Sequence, residues 1–152
     1  MGVHGYNRSM SEFRFYHPVE VRYGDLDPQG HVNNAKHLTY FEQARIAYLI
    51  ELGLFTKDQS FMEIGVILAD VHITYHEPVY FGQNIKVGVH ITKFGSKSMT
   101  WLQNIVDADT GRMLAKGEVI MVTYDYKAEK TIPIPQEWRE KISKFENPSV
   151  VE

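Results

Sequence analysis

From Phe13 the chain alternates. Phe13, Phe15, Val19, Val21 and Tyr23 fall on one side, and Glu12, Arg14, Glu20 and Arg22 on the other. That is the period-two pattern of a half-buried strand, and Pro18 puts it at a sheet edge or a bend. A polar loop over Gly24–Val32 follows, with turn chemistry at Pro28-Gln29-Gly30. Asn33 or Asn34 can then cap a helix, which runs to about Leu52 and stops at Gly53. On a helical wheel Leu38, Phe41, Tyr48, Leu49 and Leu52 share a face. Arg45 falls within that face and Glu42 on its flank, a spacing that predicts an ion pair. The other side carries Tyr40, Ala47 and Ile50, so a sheet is expected to enclose this helix.

Beyond a loop at Phe55–Phe61 the periodicity returns to two. Ile64–Tyr75 sets Val71, Ile73 and Tyr75 against Asp70, His72 and Thr74, and His76-Glu77-Pro78 ends it. Ile85, Val87, Val89 and Ile91 alternate with Lys86, Gly88, His90 and Thr92. Phe94-Gly95-Ser96-Lys97 reads as a hairpin turn into Ser98–Asp107, and Asp107–Gly111 as the turn into Arg112–Tyr126. The last of these strands is apolar on both sides between Val119 and Val122, which suits a central position. Ile132-Pro-Ile-Pro135 closes the sheet, and Gln136–Phe145 reads as a short surface helix in a C-terminal segment, 136–152. Residues 1–10 read as a loose tail. One strand, one long helix and four strands on hairpin-length connections predict an α+β domain, with an antiparallel sheet of about five strands wrapped around one central helix.

Composition narrows the function. The 152 residues suit a single domain with a sizeable core. A net charge of −3, with no basic stripe, argues against nucleic acid. The absence of cysteine removes disulfides, thiolate–zinc sites and a cysteine nucleophile, and fits a reducing, cytoplasmic setting. No apolar run approaches the ~18 residues of a membrane span, and the polar start has no signal-peptide core.

The candidate chemistry is concentrated where the loop meets the helix. Asp25, Asp27, His31, Asn33 and Asn34 fall within ten positions. A helix N-terminus offers unpaired N–H groups and partial positive charge, so a carboxylate beside it matches the needs of acyl transfer. Asp27 can activate water or attack a carbonyl itself, or it is an ordinary Asx-turn aspartate. Asp25 is a loop-holding group in this reading. His31 either orients Asp27 and shuttles a proton or anchors the loop. Asn33 and Asn34 are caps, Asn33 also a candidate substrate contact, and the N–H of Asn34 is the candidate oxyanion donor. Asp70 and His72 read as a solvated strand face, and Lys93, Lys97 and Lys116 are candidates for anionic groups. The serine-hydrolase elbow is absent.

The run Asp25-Leu-Asp27-Pro-Gln-Gly-His31-Val-Asn33-Asn34, followed by Glu42-Gln-Ala-Arg45, resembles the hotdog-fold acyl-CoA thioesterases. The likeness is to the 4-hydroxybenzoyl-CoA thioesterase family and its long-chain acyl-CoA relatives. It extends over roughly residues 13–135, through Ile73–Pro78, Gly95–Ser98 and Asp125–Pro135. The resemblance implies hydrolysis of an acyl-CoA to free acid and coenzyme A, with Asp27 as the catalytic carboxylate and the helix N-terminus polarising the thioester carbonyl. It implies no cofactor beyond the coenzyme A of the substrate, no metal, and a homodimer or dimer of dimers with sites at the subunit interface. Ser96 or Ser98 resembles a family position close to the ligand, and Lys97 is a candidate for its phosphates. His37 stands where relatives often carry tyrosine, and Gln29 where plant enzymes carry a catalytic asparagine. Two alternatives remain: a non-catalytic acyl-CoA-binding or sensing domain, and an acyl-thioester dehydratase or hydratase.

Overall fold

In the computed structural model the described residues are 13–147, so the expected N-terminal tail and the end of the C-terminal segment lie outside them. The elements in chain order are β1 (Phe15–Val19), α1 (Asn34–Glu51), β2 (Val66–Tyr75), β3 (Ile85–Phe94), β4 (Ser98–Asp107), β5 (Met113–Asp125), β6 (Lys130–Thr131) and α2 (Gln136–Glu146). They form one antiparallel sheet in the order β1-β3-β4-β5-β2, with β6 added to β5. Among the described residues β1 is an edge strand that pairs only with β3, where Pro18 stands opposite Lys86. A missing N–H is tolerated there. The two-residue β6 is an addition to the expected set. It follows a tight turn at Tyr126–Glu129, whose last residue takes a positive φ of 56°.

α1 starts where the sequence puts it. The Asn33 side chain accepts from Ala35 N at 2.9 Å, and Gly53 follows Leu52 with φ 73°. The sheet-facing stripe is His37, Tyr40, Phe41, Ala44, Arg45, Tyr48 and Leu49, all buried, which is the three-four spacing of an amphipathic helix. This corrects the wheel reading at two places: Tyr40 lies inside, and Leu38 is 36% exposed. The helix lies close to the sheet because β5 carries Gly117 beneath it, where a Cβ would collide with the Phe41 ring. Tyr48 is the aromatic hub of the core. Its ring meets Phe15, Trp101 and Phe145 edge-on at 5.5, 5.5 and 5.6 Å. Burying each such ring contributes roughly 1.5–3 kcal/mol.

The expected Glu42–Arg45 ion pair does not form. Arg45 turns inward and donates to Gln103 Oε1 at 3.0 Å, while Gln103 Nε2 donates to the Phe41 carbonyl at 3.0 Å. Burial lowers the Arg45 guanidinium to about 10, with the Glu42 charge opposing the shift through space. α2 is more than a surface helix. It buries Trp138 and Ile142, and Glu146 at its end accepts from Tyr48 Oη (2.6 Å), from Ile91 N (3.0 Å) and lies 2.9 Å from His90 Nδ1. β2 is the other edge, where only Val66 is buried and only Val71 and Ile73 are half-buried. Asp70 and His72 are exposed on it, as expected. Among the described residues, no helix is long and apolar enough to cross a membrane.

Candidate active site

The loop between β1 and α1 is a small hydrogen-bonded hairpin. Leu26 and Val32 face each other as a bridge, Asp27 N donates to the His31 carbonyl at 2.9 Å, and Gly30 N donates to the Asp27 carbonyl at 3.0 Å. Gly30 takes φ 87°, a conformation glycine adopts without a Cβ penalty. The far side of this hairpin is tied to the segment after β2. Val32 N donates to the Val79 carbonyl at 2.8 Å, and His31 bridges Tyr80. Asn33 N donates to the Asp25 carbonyl at 2.8 Å, which sets the angle at which the chain enters α1.

Asp25 is the anchor of the loop. It is 1% exposed and accepts from Arg22 N (3.0 Å), Tyr40 Oη (2.8 Å) and the Arg22 guanidinium (3.4 Å). Burial alone would push its carboxyl up, but these hydrogen bonds outweigh it and hold the group below the usual carboxylate range. Tyr40 in turn is pushed up, first by burial and then by Asp25, so it stays a donor.

Asp27 is placed differently. Its Oδ1 accepts from Gln29 N at 3.0 Å, and its Oδ2 lies 3.6 Å from His31 Nδ1. The Gln29 carboxamide faces the same carboxylate. Turned so that its nitrogen is the near atom, it donates to both oxygens at 3.2 Å. The Asp27 side chain keeps 16% of its surface open, and that of His31 keeps 34%. A 3.6 Å gap is too long for a direct hydrogen bond, and becomes a charge contact when His31 carries a proton.

Asp27, His31 and Asn34 line one cleft of about 320 Å³. Val32, His37, Tyr75, His76, Glu77 and Pro78 complete its wall. Sequence reasoning had Tyr75–Pro78 as a strand end within the resembling stretch and His37 as a departure, and placed neither at the site. Tyr75 reaches over the helix start and donates to the Asn34 carbonyl at 2.9 Å. Glu77 at the rim is held by Arg112 through two bonds of 3.0 and 2.5 Å. Among the described residues, no three His, Asp or Glu side chains gather as a metal site would require.

Ser96, Lys97 and Ser98 are not part of this cleft in the single chain. They form the β3–β4 turn, where Gly95 N donates to the Ser98 carbonyl at 2.7 Å and Lys97 Nζ donates to Thr131 Oγ1 at 3.3 Å. Ser98 aligns through Val122 with Ile67, near the start of β2, whereas the cleft lies at the Tyr75 end. Of the other lysines, Lys116 stands opposite Thr74 near the cleft end of β2, and Lys93 lies at the β3 bulge near that same turn.

Asp27 and the first turn of α1 thus line the same cleft, and comparison with known proteins gives the family. The profile of the Thioesterase-like superfamily matches residues 21–142. The long-chain acyl-CoA thioesterase FadM of Escherichia coli K12 is 26% identical over 127 residues, covering 84% of this chain and 96% of its own. A thioesterase from Thermus thermophilus, solved with coenzyme A and Zn, is 31% identical with a TM-score of 0.78, covering 90% of this chain and 98% of its own. A 4-hydroxybenzoyl CoA thioesterase mutant solved with 4-hydroxybenzoyl CoA shares the fold, with a TM-score of 0.77 at 18% identity over 85% of this chain and 98% of its own. The chain belongs to the Thioesterase-like superfamily and is a thioester hydrolase of the hotdog fold.

Proposed function

We propose that this protein hydrolyses acyl-CoA to a free acid and coenzyme A, with Asp27 as the base or nucleophile and the Asn34 N–H as the oxyanion donor. The observation that carries the reading is the placement of Asp27: a partly open carboxylate in the cleft that the first turn of α1 also lines. Asp25 cannot share this role, because its oxygens are taken by Tyr40 and Arg22.

In the water route, Asp27 accepts a proton from water while the water oxygen bonds to the thioester carbon. The carbonyl electrons move to oxygen, where the Asn34 N–H stabilises them. Collapse expels the thiolate of coenzyme A, which is then protonated. In the direct route the Asp27 oxygen makes the bond, and water hydrolyses the resulting anhydride. Removing one oxyanion donor in such sites typically costs about 10²-fold or more. Gln29 holds the carboxylate orientation in either route, and His31, 3.6 Å away, would have to close that gap to relay a proton. The reaction needs no metal and no cofactor beyond the substrate's own coenzyme A, and the cysteine-free sequence suits a cytoplasmic setting.

The working unit in this reading is a homodimer, alone or doubled into a tetramer. β2 is an exposed edge that carries Ile67 and Leu68 at 37% and 47% exposure, and unpaired edges invite pairing. Antiparallel pairing of two β2 strands would bring the Val66 end of one copy to the Tyr75 end of the other. The β3–β4 turn with Ser96, Lys97 and Ser98 would then approach the partner's Asp27 cleft, where these residues and Asn33 meet the coenzyme A portion.

Acyl-CoAs with short, long, branched and aromatic chains, assayed for thiol release, test the activity. Release from at least one class supports it. Thermal stabilisation by acyl-CoA without thiol release would instead favour a binding or sensing domain, and hydration of an enoyl-CoA would favour a hydratase.

A further inference from the structure

His37 is buried in the cleft wall, 3% exposed, three residues into α1. Its Nδ1 lies 3.3 Å from the Asn33 carbonyl oxygen. A carbonyl only accepts, so Nδ1 must carry the hydrogen. Burial, and to the smallest extent the His31 charge, push the imidazole below its usual range, against the opposing pull of the carbonyls at the helix start. The ring is therefore neutral near pH 7, and its Nε2 is left buried without a partner. Tyr75 braces it from outside, edge-on with the ring centroids 4.9 Å apart, while its own hydroxyl holds the Asn34 carbonyl. An orphaned buried nitrogen has a cost of ~1–3 kcal/mol, which a purely structural apolar residue at this place would avoid.

The Asn33 carbonyl and the Asn34 N–H belong to the same peptide group. A donor at the oxygen of an amide draws electron density toward that oxygen and makes the N–H a stronger donor. It also fixes the plane of the peptide. Lys36 N already donates to the same oxygen at 2.9 Å, and as the N-cap carbonyl it also accepts the first bond of the helix, so the His37 ring adds a donor from a side chain.

We propose that His37 is a positioning residue for thioester hydrolysis: its Nδ1–H orients and polarises the Asn33–Asn34 peptide, whose N–H meets the developing oxyanion. This rests on the assignment of Asn34 as oxyanion donor, and the test separates the two.

The probes are decanoyl-CoA and benzoyl-CoA, isotope-labelled at the carbonyl carbon and bound to D27N, with the carbonyl stretch read by infrared difference spectroscopy. Kinetics are read with Asp27 intact, and thermal stability for every variant. D27N is expected to lower the carbonyl frequency of the bound thioester. D27N/H37F, which keeps a ring but has no donor, should lose a large part of that shift, and D27N/H37Q, whose amide can donate to the same carbonyl, should recover it. With Asp27 intact, H37F should lower kcat by about 5- to 20-fold with little change in KM, and H37Q should restore most of it. A frequency shift and kcat that are the same in H37F overturn the proposal and leave Asn34 as donor. Equal losses in H37F and H37Q that track thermal stability also overturn it, as a packing role. No shift in D27N itself would remove Asn34 as donor, and both readings would fall together.

Discussion

The Tyr40 hydroxyl donates to Asp25 Oδ2 at 2.8 Å, joining the floor of α1 to a carboxylate that is 1% exposed. This bond, with the Arg22 amide, holds the turn from which the Asp27 hairpin projects. Asp25 and Asp27 are two residues apart, and the chain uses one to build the loop and presents the other to the cleft.

Replacing Tyr40 by phenylalanine should therefore destabilise the fold by about 1–3 kcal/mol near neutral pH, because a buried carboxylate loses a partner. The pH dependence has a definite sign. Asp25 is held below its unfolded value of about 3.9, so its contribution is fully present above that pH and is lost as pH falls through the folded value. The gap between wild type and Y40F should narrow below about pH 4, as read by denaturant melts across that range.

The far end of α1 has its own clamp. Glu146 accepts from Tyr48 and from Ile91 N, and its side chain is 6% exposed. E146A should cost about 2–4 kcal/mol, since the Tyr48 hydroxyl is left buried and unbonded. Turnover per folded molecule should stay within about twofold, because the clamp shares no partner with the cleft. Chemical denaturation and active-site-normalised kinetics check the two halves of this expectation.

The architecture was legible in the sequence because each element carries a local signal. Strand alternation, the Asn33 cap and the Gly53 stop lie within a few residues of what they specify. The position of Asp27 beside the helix start was legible for the same reason: hairpin, carboxylate and helix start are contiguous. The misses are all matters of distance or depth. Glu146 meets Tyr48 across 98 positions, Arg45 prefers Gln103 across 58 positions over Glu42 three away, and Tyr75 reaches Asn34 across 41. His37 stood out in sequence only as a departure: the Asn33 carbonyl it faces is four residues away, but the Tyr75 ring that packs against it comes from the end of β2. Likewise, nothing local marks Lys130–Thr131 as a strand, since two residues carry no period.

The exposed β2 edge leads to an expectation about assembly. The wild type should be a dimer or a dimer of dimers by light scattering. Leu68→Lys places a charge on the edge, where Leu68 is 47% exposed, and should shift the protein toward monomer. Turnover should fall in step with dissociation, since the proposed coenzyme A contacts at Ser96, Lys97 and Ser98 lie away from the Asp27 cleft of their own chain. A fully active monomer would contradict the interfacial site.

The central claim is that Asp27 performs the chemistry, and its most direct test is the D27N variant assayed for thiol release from the best acyl-CoA substrate. Asparagine keeps the size and the turn-forming hydrogen bond to Gln29 N but has no basic or nucleophilic carboxylate. The account predicts a fall in kcat of about 10²–10⁴-fold, with acyl-CoA binding, assembly and thermal stability retained. Turnover within a few-fold of wild type would contradict it and move the catalytic role away from this loop.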